Sequence, residues 1–324
     1  MTLSRRDFLS SAAAIFGVAT QCSFLSAAES VVAQDQLPLL HSIPFILSQE
    51  AYRESKPPST STLISVAKNE WGFDGIELSA RMLLEEWGGV TLTEQVQGQI
   101  LQAAATSDGR KPFVMALTID LATTKNPNDV LEAALSAIRR LPIETCSIIV
   151  ATEEDDEIRS EKISSLSEQI ESARRGTKVL IENTRVSSGA SADRFMESIR
   201  KLPGCTGTLI RSDSIQYRFD LAVQDIRLAR NGCKGDRPLA IRIKCKTTTL
   251  TTSEAAEFDR EVLRQTIEKQ IAPHLGEMKP LYVAIDSSLA LRIQAAVDGK
   301  TSVGSKTFRD MIVLVRKELS ALPK

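Results

Sequence analysis

Eight times after residue 42 the chain passes from a short apolar run into a longer stretch of helical spacing, and this alternation limits the fold more than any other feature. The runs are SIPFIL (42–47), FDGIEL (73–78), PFVMALT (112–118), CSIIVAT (146–152), KVLIE (178–182), GTLIR (207–211), PLAIRIK (238–244) and LYVAID (281–286). Several are apolar at consecutive positions, as strands covered on both faces must be. Between them stand helix-start signals: Ser61 before LISVAKNEW, Thr91 before LTEQVQGQILQAAA, Asn126-Pro127 before NDVLEAALSAIRRL and Ser191 before ADRFMESIRKL. A last helix is expected near FRDMIVLVRKEL. Parallel strands need helical crossovers and eight of them close a sheet, so the pattern predicts an α/β fold, a single-domain (β/α)8 TIM barrel. The rival is an open doubly wound sheet, but neither a GxGxxG after the first strand nor a P-loop is present to favour it. No Pro/Gly linker divides the chain.

The first 33 residues read differently. Arg5-Arg6 precede the small, weakly apolar run SSAAAIFGVA, which resembles a twin-arginine export signal. That run is shorter than the roughly 20 residues needed to span a bilayer, so cleavage is expected over anchoring. Val31-Val32-Ala33 offers the cleavage site, with Ser26-Ala27-Ala28 as the earlier choice. The expected organisation is therefore a signal peptide over 1–33 and a barrel over 34–324. Passage through the twin-arginine translocase would deliver the folded protein to the periplasm or the exterior.

Charge names no partner. Acidic and basic residues number 41 and 40, which argues for neither nucleic acid nor a membrane surface, and no nucleic-acid partner is expected. Cys146, Cys205, Cys233 and Cys245 lack the CxxC spacing of a zinc or redox site and read as free thiols, with one disulfide open in an oxidising compartment.

In a barrel of this kind the chemistry sits where the strands end and the βα loops gather. The ends carry Glu77, Asp120, Glu153, Glu182, Arg211 with Asp213, Arg242 with Lys244, and Asp286. Two of them lie in recognisable patterns. Trp71-Gly72-Phe73-Asp74-Gly75-Ile76-Glu77-Leu78 is similar to the second-strand signature of the sugar phosphate isomerase/epimerase group, the xylose isomerase-like barrels, and Leu180-Ile181-Glu182-Asn183 resembles that group's fifth strand. The resemblance implies a divalent metal held by acids and histidines at the mouth, polarising a sugar oxygen while paired acids move a proton.

The same comparison predicts that this chain lacks the metal. Where the resemblance calls for a sixth-strand acid the sequence has Arg211, and where it calls for a seventh-strand histidine it has Arg242. The two histidines, His41 and His274, fall away from the strand ends. Guanidinium has no lone pair to give and repels a divalent cation. A hard-cation site of Glu182, Asp213 and Asp286, for Mg²⁺ or Mn²⁺, is the residual alternative. Glu182 is thus expected to face an arginine, Arg211 or Arg242. Two functions follow. In one, an exported isomerase/epimerase-like barrel acts on a small sugar or sugar acid through Glu77, Glu182, Asp286 and Lys244, with Arg185, Arg211, Asp213 and Arg242 binding substrate. In the other, an inactive barrel binds an anionic carbohydrate through the same cations or serves as a scaffold.

Overall fold

A computed structural model describes residues 43–49, 58–106, 111–149, 156–182, 206–212, 238–245, 261–262, 264–265, 280–287, 309–310 and 313. Eight parallel strands close into a barrel in sequence order: β1 (Phe45–Ser48), β2 (Gly75–Ser79), β3 (Val114–Asp120), β4 (Ile143–Ile149), β5 (Lys178–Glu182), β6 (Thr206–Ser212), β7 (Leu239–Cys245) and β8 (Val283–Ser287). Closure is made by β8 pairing with β1, Phe45 opposite Val283 and Leu47 opposite Ile285. The expected (β/α)8 barrel is the fold.

The described helices are α1 (Thr60–Asn69), α2 (Ala80–Trp87), α3 (Glu94–Ala104), α4 (Pro127–Arg140) and α5 (Asp156–Ala173). Helix α4 starts where the sequence places it, with Asn126 as N-cap and Pro127 in the first turn, where its missing N–H costs nothing. Two caps are shifted. Ser59, not Ser61, accepts the Thr62 N–H at the start of α1, and Thr93, not Thr91, accepts the Val96 N–H at the start of α3. The helix expected after Ser191 lies outside the described residues, as do His41, His274 and the whole leader.

Strand β4 begins at Ile143, three residues before the run read from sequence. Met115 pairs with Ile143 but Ala116 with Thr145, so exposed Glu144 is an extra residue that bulges out of the ladder. That charge interrupts the apolar run and hides the first turn of the strand from a pattern reading.

Alternation along each strand divides the apolar residues into two bodies. One lies between barrel and helices, where Leu47, Ile76, Leu117, Ile148 and Ile241 meet Leu63, Ile64, Ala134 and Ile138. The other fills the barrel's inside: Ile46, Ala116, Leu180, Leu209, Ala240, Tyr282 and Ala284. Small residues make room for large ones here. A Cβ on Gly75 would lie 2.3 Å from the Val114 carbonyl oxygen and 2.8 Å from Ile46 Cγ2, so no side chain fits at that position.

At the strand starts one residue laces three strands. Asp74 donates its N–H to the Phe45 carbonyl at 2.8 Å, and its own carbonyl accepts the Val114 N–H at 2.9 Å. Its carboxylate accepts the Phe45 N–H at 2.8 Å.

Candidate functional site: a polar floor inside the barrel

Two residues beyond the inner apolar layer, the same strands turn polar. Ile46 gives way to Ser48, Gly75 to Glu77, Ala116 to Thr118, Leu180 to Glu182 and Ala240 to Arg242. Because side chains repeat their direction every second residue, these groups converge on the barrel axis. Arg242 is the hub. Its Nε donates to Glu77 Oε2 at 2.9 Å and its Nη2 to Glu77 Oε1 at 2.8 Å, a two-point fork. Nη1 donates to Glu182 Oε2 at 2.5 Å, and Nη2 also donates to Thr118 Oγ1 at 2.9 Å. Arg242 is 2 % exposed, Glu77 1 % and Glu182 2 %, so the whole cluster is desolvated. A lone charge at this depth would cost several kcal/mol, about what the paired geometry must offset.

Glu77 is filled from within the protein. Besides the fork it accepts the Ser48 hydroxyl on Oε2 at 2.8 Å and the Tyr282 hydroxyl on Oε1 at 3.4 Å. A carboxylate offers about four lone-pair positions, and these four donors use them. Thr118, which accepts from Arg242, also shares a hydrogen bond with Ser147 Oγ at 2.9 Å. Tyr282 reaches up from the apolar layer, and burial first, then the Glu77 carboxylate, pushes its phenol well above its ordinary value of about 10. Burial likewise raises the free thiol of Cys146, on the outer side of β4.

The sequence-derived candidates divide clearly by place. Glu77, Glu182 and Arg242 are brought together, and Glu182 faces an arginine as expected. Asp286 is buried at the end of β8, in register with Lys244 on β7. Arg211 is in register with Arg242 on the neighbouring strand. Arg185, Asp213 and Glu153 lie outside the described residues, as do the side chains of Arg211 and Lys244. Asp120, also at a strand end, is spent locally: Oδ1 accepts the Ala122 and Thr123 N–H groups at 3.0 Å each and Oδ2 the Thr123 hydroxyl at 2.5 Å. Ser48, Thr118, Ser147 and Tyr282 complete the floor and carry no motif of their own. The only signal is that Ser48, Thr118 and Tyr282 each stand two residues from an inward apolar neighbour, Ile46, Ala116 and Ala284.

The donor set does not suit a divalent cation. The Arg242 guanidinium stands between Glu77 and Glu182, where a metal bridging those two acids would sit, and would repel it. Among the described residues no cluster of three or more His, Cys, Asp or Glu side chains is placed to hold a metal.

No family model matches this chain and no curated protein matches it. Solved structures do. The structure described as IOLI protein with a binding zinc atom is 11 % identical, with a TM-score of 0.52 over 86 % of this chain and 100 % of that one. Phosphonopyruvate hydrolase in complex with oxalate and Mg²⁺ is 15 % identical, with a TM-score of 0.43 over 90 % of this chain and 91 % of that one. Phosphoenolpyruvate phosphomutase from Streptomyces platensis subsp. rosaceus is 14 % identical, with a TM-score of 0.39 over 81 % and 85 %. These likenesses establish the fold alone. The resemblance drawn from sequence is corrected: no family model matches, a likeness at 11 % identity shows only the fold, and membership of the sugar phosphate isomerase/epimerase family does not stand. The physical reason lies in the motif. Gly75 is required by the approach of Val114 and Ile46, and Glu77 by the charge of Arg242, so FDGIEL records the packing of this barrel and needs no shared ancestry to explain it.

Proposed function

We propose that the mouth of this barrel binds a small sugar or sugar acid above the Glu77–Arg242–Glu182 floor, and that it does so without proton exchange through Glu77. The observation that carries this reading is the saturation of Glu77: with four donors already on its carboxylate, it has no position from which to take a ligand's proton. The floor instead acts as a fixed polar surface. Two carboxylates and one guanidinium leave it with one net negative charge, which favours ligand hydroxyls as donors. The ligand's outer end then falls to the strand termini, where Asp286 and Lys244 occupy adjacent register positions, Arg211 lies near the end of β6 and Asp213 comes after β6 in sequence. Export of the folded chain by the twin-arginine route, from Arg5-Arg6, is part of the same proposal and would place the ligand outside the cytoplasm.

The test is calorimetric titration of D-xylose, D-glucose and D-gluconate, with an NMR record of each sugar incubated with the protein in deuterated water. Binding without deuterium entering any carbon position supports the reading. Deuterium incorporation that Glu77→Gln abolishes would overturn it in favour of an isomerase or epimerase.

A further inference from the structure

Gln49, the residue after β1, is fully buried, and its carboxamide is only half used. Oε1 accepts the Ser79 N–H at 2.8 Å, which spans the ends of β1 and β2 at the mouth. Nε2 is buried and has no hydrogen-bond partner among the described residues. The amide cannot be turned over to cure this, because Nε2 would then confront the Ser79 N–H donor to donor. Other buried polar atoms without a partner, such as Trp87 Nε1 and Ser167 Oγ, stand on helices away from the mouth. Gln49 follows the last residue of β1 and Ser79 is the last residue of β2, so this half-used amide stands at the mouth end of both strands.

We infer that Gln49 Nε2 is a ligand-reading donor, and that it selects a ligand carrying a carbonyl or carboxylate oxygen at the end that meets β1 and β2. A buried donor left unpaired is unfavourable in the free protein and is relieved when an acceptor arrives. An sp² oxygen is the stronger acceptor, and a site built to pair a polar group discriminates sharply against a ligand that lacks the match. This inference rests on the reading of the mouth as a sugar or sugar-acid site and narrows it to ligands oxidised at one terminus.

The probes are D-gluconate, D-gluconamide and D-glucitol, which share a hydroxylated chain and differ at C1. The wild type should bind gluconate or gluconamide about ten-fold more tightly than glucitol, the worth of one good hydrogen bond. In Gln49→Glu, which keeps an acceptor for the Ser79 N–H but replaces the donor by an oxygen, that preference should vanish. Retention of the preference in Gln49→Glu would overturn the inference. A second measurement decides the case in which the wild type binds none of the three, which would defeat the sugar reading itself. The side-chain amide resonances of Gln49 in ¹⁵N-labelled protein, assigned by their loss in Gln49→Met, should lie upfield, where an amide proton without an acceptor resonates. A downfield, slowly exchanging Gln49 side-chain proton would mean that Nε2 is paired inside the protein, and the inference would fail whatever the ligand.

Discussion

The inside of this barrel holds two layers built on the same strands one pleat apart, and they keep their shape by opposite means. The lower layer of Ile46, Ala116, Leu180, Leu209, Ala240 and Ala284 is apolar, and area removed from water holds it together. The upper layer of Ser48, Glu77, Thr118, Glu182 and Arg242 is equally dry but is held by charge and hydrogen bonds. Strand geometry makes them about 6.6 Å apart, two residues at about 3.3 Å each. The lower layer tolerates approximation, because apolar contacts are non-directional and neighbours can relax. The upper one does not, because every member serves another and loss of one strands the rest.

Removing the hub should give the largest effect. Arg242→Met leaves two desolvated carboxylates facing each other and is expected to lower the unfolding free energy by about 3–5 kcal/mol. Replacing all three charges together, Arg242→Met with Glu77→Gln and Glu182→Gln, should cost less than Arg242→Met alone, since no unpaired charge remains. Urea denaturation of both variants checks this, and a triple variant less stable than the single one would show that the ion pairs themselves hold the barrel.

In the lower layer Leu180→Ala should cost about 3 kcal/mol, transfer and cavity terms combined. The contrast sharpens in the double variant with Arg242→Met. The two sites lie close enough to couple, and additivity within about 0.5 kcal/mol would show that the layers are independent after all.

Tyr282 joins the layers, and Tyr282→Phe should cost about 1 kcal/mol at neutral pH. Its raised phenol also fixes the alkaline behaviour. Above about pH 10 the unfolded chain ionises this tyrosine while the folded one keeps it neutral, so its contribution to stability is whole below pH 10 and falls as pH rises. Tyr282→Phe should remove about 1.4 kcal/mol per pH unit of that fall. A urea midpoint series across pH 8 to 11 in both proteins measures it, and parallel curves would count against a buried phenol.

The smallest change is expected far from both layers. Arg81 and Glu85 form an i,i+4 pair at 4.0 Å on α2, with side chains 30 % and 62 % exposed, and Arg81→Ala should move stability by less than about 0.5 kcal/mol. A larger loss there would mean that the outer face of the helices contributes more than their buried stripe implies.

What could be read beforehand follows the same division. All eight strands were visible because strands covered on both faces write themselves as apolar runs. Helix α2 was not, since it follows β2 without a loop and its N-cap, Ser79, makes no side-chain capping bond. Helix α5 was missed because serines and charges break its apolar face. In the floor, Glu77, Glu182 and Arg242 stood out as charges at strand ends. Ser48, Thr118, Ser147 and Gln49 did not, because a small polar residue inside an apolar run looks alike whether it faces an ion pair or its own backbone. Only the pairing of Ser48 with Glu77 across β1 and β2 separates those cases.

Asp74 gives the arrangement of the floor a safeguard at the opposite end of the strands. A strand that slips by one position exchanges its inner and outer faces. For β1 such a slip would turn Ile46 and Ser48 outward and offer Glu77 a leucine in place of a hydroxyl. The three hydrogen bonds through which Asp74 ties Phe45 and Val114 exist in a single alignment of β1, β2 and β3. A misaligned first strand therefore loses its bonds at both ends at once, those to Asp74 at its start and that of Ser48 to Glu77 at its finish.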